Sequence, residues 1–102
     1  MNSTEEIYSN ITTEQLAEVE DMAQLFIEPQ TICIAMDWDN EILEAFLLAI
    51  ESRDNDDILY RAYFKGRITS EIELRRSIRQ AAANGSNPAQ ETMLNFYKNT
   101  QL

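Results

Sequence analysis

Residues 39–52 read DNEILEAFLLAIES. Ile42, Leu43, Phe46, Leu47 and Ile50 recur at four-residue steps with an adjacent row. That is the period of a helix with one buried side, not of a strand. Asp39, with Asp37 just upstream, supplies an N-cap, so the stretch predicts a helix running to about Ser52. Trp38 lies just before it, placed to staple its start to the core.

Working outward from there, helical patterns continue in both directions. Upstream, Pro29 suits the first position of a short helix carrying Ile32, Cys33, Ala35 and Met36, because proline's missing N–H has no partner there in any case. Before that, Thr12 and Gln15 form a capping box. Leu16, Val19, Met22, Ala23 and Phe26 then make one apolar stripe, with Glu18, Glu20 and Asp21 off it. Downstream, residues 53–57 read as a polar turn with Asn55 or Asp56 as cap. A fourth helical region begins near Ile58, with Leu59, Ala62 and Tyr63 on one face. Gly66 either sits inside it, at about 1 kcal/mol relative to alanine, or ends it, with Thr69 or Ser70 capping the next helix. Leu74, Ile78, Ala81 and Ala82 continue the stripe. Asn84–Gly85 is a helix stop; Asn87, Pro88 and Gln90 restart a last helix over about 88–99. The expectation is an all-α chain: a helix-turn-helix-like three-helix unit at 12–52, then two or three further helices at 58–102, together one domain over 12–102, preceded by a flexible stretch at 1–11.

Composition narrows function. The chain has 102 residues, one cysteine and no histidine. One cysteine excludes an internal disulfide and suits a reducing compartment; with no secretory signal and no run long enough to span a membrane, the expectation is a cytoplasmic protein without a membrane partner. Without histidine the commonest metal ligand and general base are absent. Only two glycines are present, so no phosphate loop or nucleophile elbow can be built. Asp37, Asp39 and Glu41 alternate as in a calcium loop, and so do Asp54 and Asp56, but the glycine and the closing glutamate such a loop needs are missing. Capping accounts for them better. Cys33 reads as a small core residue. No catalytic residue, metal or cofactor is assigned, and a non-enzymatic chain is expected.

The net charge of −10 hides an asymmetry. Up to Leu59 there are fifteen acids against one base, Arg53; from Tyr60 onward there are three acids against seven bases. Arg61, Lys65, Arg67, Arg75, Arg76 and Arg79 are the candidate DNA-binding residues, with Tyr60, Tyr63 and Phe64 nearby. Arg61 and Lys65 are four residues apart, as are Arg75 and Arg79, so each pair shares a helix face. The competing reading is pairing at home: Arg61 and Lys65 with Asp54, Asp56 and Asp57 or with the acidic third helix, and Arg75 and Arg79 with Glu71 and Glu73.

Two stretches carry a resemblance. The helix, turn, short helix, turn and helix from Leu16 to Ile50 are similar to the helix-turn-helix unit that opens tailed-phage small terminase subunits. The blocks Arg61–Ala62–Tyr63–Phe64–Lys65–Gly66–Arg67, Glu73–Leu74–Arg75–Arg76–Ser77–Ile78, then Ala81, and Gly85–Ser86–Asn87–Pro88–Ala89–Gln90 resemble, in that order, the segment that follows it. The resemblance implies a homo-oligomeric, ring-forming component of a phage or prophage DNA-packaging motor, working in the bacterial host cytoplasm. Such a protein recognises double-stranded viral DNA and partners the large terminase subunit.

Helix-turn-helix docking would lead the third helix into the major groove. Here that helix and its lead-in carry Asp37, Asp39, Glu41, Glu44 and Glu51 and no base. DNA presents roughly one charge per 1.7 Å of axis and would repel it, so Asp39, Glu41 and Glu44 receive no base-reading role. The alternative from another class is an acidic helical adaptor that binds a protein without touching DNA. A contact between the basic half of one copy and the acidic half of the next is a third way to use the same charges; it is heterologous and closes into a ring when the rotation permits.

Overall fold

Thr12 opens the first long helix as its spacing predicts. Its hydroxyl accepts from the Gln15 N–H at 3.1 Å, and the Gln15 side chain accepts from the Thr12 N–H at 2.9 Å. In the computed structural model, which describes residues 3–100, the helices are α1 (Thr4–Ile7), α2 (Thr13–Gln24), α3 (Pro29–Ala35), α4 (Asn40–Ser52), α5 (Ile58–Ala83) and α6 (Asn87–Thr100). The protein is all-α; no strand occurs among the described residues. Asp39 caps α4 through the Ile42 N–H at 3.1 Å, and Pro29 stands in the first turn of α3.

The chain divides into two compact units, one reaching Ile68 and one beginning at Thr69, where a single domain over 12–102 was expected. In the first unit α3 and α1 both pack on α4. Val19, Ile32, Phe46 and Leu59 are fully buried, one each from α2, α3, α4 and α5. Cys33 and Tyr8 complete the core, with Leu16, Met36, Trp38, Ile42 and Tyr63 packed around it.

The stretch expected to be flexible differs. Residues 1 and 2 lie outside the described residues, but Ser3 caps a turn of helix and Tyr8 is 5 % exposed. An aromatic ring buried in the core anchors this segment. The Tyr8 hydroxyl donates to Asp57 Oδ2 at 2.9 Å. Asp57 Oδ1 accepts from the Tyr60 N–H at 2.8 Å, so Asp57, not Asn55 or Asp56, caps α5.

Gly66 neither interrupts nor ends a helix; α5 runs through it. A Cβ placed there would overlap the backbone carbonyl of Glu20 and approach Ala23 Cβ at 2.7 Å. The glycine lets α5 lie directly on the backbone of α2.

The second unit is a helical hairpin. α5 ends with Gly85 in the left-handed region at φ 97°. The Ser86 N–H reaches Ala81 O and the Gly85 N–H reaches Ala82 O, which satisfies the last carbonyls. Ser86, not Asn87, then caps α6: its Oγ accepts from the Ala89 N–H at 3.3 Å. The Gln90 amide, expected to complete that box, instead donates back to Ala82 O at 3.0 Å. No described residue of this unit is buried.

Candidate functional site

All six candidate cations lie on α5, and the structure sorts them by what they touch. In the first unit, Arg61 is exposed and its Nη1 donates to the Asn55 carbonyl at 3.3 Å. Among the described residues it makes no ion pair with Asp54, Asp56 or Asp57. Lys65 Nζ lies 3.8 Å from Glu20 Oε1, a contact across the α2–α5 seam that Gly66 makes possible.

Arg67 is half-buried. Its Nη1 donates to the Tyr63 hydroxyl at 3.0 Å, and its guanidinium stands 5.1 Å from the Phe26 ring and 5.7 Å from the Tyr63 ring. A planar cation held by two aromatic faces is stabilised by about 0.5–2 kcal/mol. Arg67 therefore works as a clamp between the α2–α3 turn and α5, and is set aside as a DNA contact.

The neighbouring aromatics are also engaged. Tyr60 is buried and stacks on Phe64 at 5.4 Å, and Tyr63 meets Phe46 edge-on at 5.6 Å. Of the three, only Phe64 offers an exposed ring.

In the second unit, Arg75 Nη2 bonds Glu71 Oε1 at 3.0 Å, one turn back. Its guanidinium lies 4.1 Å from the Phe96 ring, which ties α5 to α6. The home-pairing reading thus describes Arg75. It does not describe Arg76 or Arg79: both are exposed, and among the described residues neither makes an ion pair. Being three residues apart, they share a face of α5.

Opposite in charge is an open groove of about 500 Å³ in the first unit, lined by Ile7, Glu41, Glu44, Leu48, Ser52 and Asp54 among others. Its lining joins α1 to one side of α4. The Leu48 side chain is 65 % exposed at this surface. From sequence these carboxylates repel DNA and suit either a protein partner or the basic half of a second copy, without a defined surface. The spacing of Glu41, Glu44 and Leu48, which puts them on a single face with an exposed leucine, was the available signal.

Two of the alternating acids serve the backbone locally. Asp39 caps α4, and Asp54 Oδ1 accepts from the Asp56 N–H at 3.0 Å, so these alternating carboxylates serve turns and helix ends. Among the described residues no group of three or more His, Cys, Asp or Glu side chains is placed to hold a metal ion. Cys33 is buried, and burial pushes its thiol pKa up, which removes the thiolate that reactivity needs. No helix of the described residues is long and apolar enough to cross a membrane.

No protein-family model, curated protein or solved structure matches the chain.

Proposed function

We propose that this chain is a non-enzymatic DNA-packaging component of the small terminase kind, which touches duplex DNA through Arg76 and Arg79 and partners a large terminase subunit. The observation that carries the reading is the pair of exposed guanidiniums on one face of α5 without carboxylate partners. Arg75 adds a third charge next to them, half committed to Glu71.

So few cations give weak affinity per copy, because each phosphate contact contributes a slope of about −0.9 in log K against log salt. Several copies bound side by side along one duplex multiply that slope.

The test is fluorescence anisotropy of a labelled duplex across a salt series. Arg76→Ala with Arg79→Ala lowers the magnitude of the salt slope by about 2 per copy, whereas Arg67→Ala leaves it unchanged. Absence of binding at low salt, or a slope indifferent to Arg76 and Arg79, sinks the reading. The acidic adaptor then takes its place, favoured by the exposed Glu41, Glu44 and Leu48 on α4.

A further inference from the structure

We propose that the groove face of α4 docks the Arg76–Arg79 face of α5 from a second copy of this chain, with the two helices antiparallel. The argument is one of matched spacing and opposite charge. On α4 the exposed residues Glu41, Glu44 and Leu48 stand at steps of three and then four. On α5 the exposed residues Ile72, Arg76 and Arg79 stand at steps of four and then three. Run in opposite directions, the two series superimpose: Leu48 meets Ile72, Glu44 meets Arg76 and Glu41 meets Arg79.

Both series span the same length, about 10 Å at 1.5 Å per residue. Run in parallel they fail, since Glu41 meets Ile72 and Leu48 meets Arg79. The apolar pair joins side chains that are 65 % and 44 % exposed in the single chain. Asp54 on the groove lining adds negative potential beside the incoming guanidiniums.

Each copy carries both halves, so the contact is heterologous and propagates head to tail until it closes. One consequence rests on the DNA reading: the arginines assigned to phosphate are those the groove takes, so duplex and second copy exclude each other at this face.

Sedimentation velocity on the full chain, without DNA, tests the proposal. At low ionic strength the wild type associates with rising concentration, and about 0.5 M salt returns it to monomer, because the charge pairs are screened. Glu41→Arg with Glu44→Arg weakens association by about a hundredfold, and so does Arg76→Glu with Arg79→Glu, since each places like charges opposite one another. Mixing these two charge-reversed proteins restores association, as does combining all four substitutions in one chain. Circular dichroism checks that every variant keeps its helices.

A wild type that stays monomeric at all concentrations overturns the proposal. So does association that ignores the reversals, which would point to apolar contact elsewhere, and so does failure of the mixture to reassociate. Because no duplex is present, none of these outcomes bears on DNA binding, which the anisotropy series judges separately.

Discussion

Asp57 is a buried carboxylate whose two oxygens are both bonded, one to the Tyr8 hydroxyl and one to the Tyr60 N–H. It caps a helix and fastens the first helical turn to the core in one stroke. Burial first, and then the Asp57 carboxylate beside it, hold the Tyr8 proton on far above the usual phenol range. The unfolded chain releases that proton near pH 10, whereas the folded chain keeps it to higher pH. Stability is therefore fully present below pH 10 and falls as the pH rises from there towards the folded value, by up to about 1.4 kcal/mol per pH unit. Tyr8→Phe lowers stability at pH 7 by about 1–3 kcal/mol, leaving a buried acceptor unpaired, and flattens that alkaline fall. Urea unfolding at pH 7 and near pH 11 measures both effects; an equally steep alkaline loss in the variant refutes the assignment. Gly66 makes the second residue-scale case. Alanine gains about 1 kcal/mol of helix propensity, but its Cβ has no room against Glu20 and Ala23, and overpacking costs about 1–3 kcal/mol, occasionally more. Gly66→Ala is expected to be destabilised on balance in urea unfolding; a more stable variant shows that α2 and α5 are not packed through this position.

Helix ends are where the elements depart most from what the residues announce. The starts of α2, α3 and α4 are readable from Thr12, Pro29 and Asp39, because capping and first-turn proline are local chemistry. The stops are not. Phe26, Asp37 and Arg53 all take φ near +60°, and after each the next N–H reaches back to close the helix: Ile27 to Met22, Trp38 to Cys33 and Asp54 to Ala49. Glycine is the residue that signals such a stop, and it stands only at Gly85. At Phe26 a tertiary contact accompanies the strained conformation, the Arg67 guanidinium lying over its ring. Arg53 is exposed and has no such compensation, so Arg53→Gly is expected to raise stability by about 0.5–1 kcal/mol. A chemical denaturation midpoint measures this, and a lower midpoint contradicts it. The caps of α5 and α6 fall on Asp57 and Ser86, where neighbouring Asn and Asp residues were equally good local candidates. Long-range burial of Tyr8 settles the first choice. The Gly85–Ser86 closure of α5 places the second.

At the scale of the molecule, the two units differ in kind. The first gathers side chains from five helices into one core, whereas the second has no buried described residue. Amides in 69–100 are accordingly expected to exchange hydrogen faster than those of α2 and α4, by at least about tenfold; mass-spectrometric exchange measures it, and equal protection shows that the hairpin is covered in solution. The sequence by itself determined the all-α class, most helix positions and the charge asymmetry, since periodicity, caps and net charge are additive properties of neighbouring residues. It also placed the six cations on helical stretches. Only the tertiary structure decided that Arg67 is clamped by Phe26 and Tyr63, that Lys65 answers Glu20, that Tyr8 belongs to the core and that Gly66 is a seam between helices. Those facts depend on which residues, distant along the chain, are brought within a few ångströms, and a free guanidinium cannot be told from a sequestered one until its neighbours are in place.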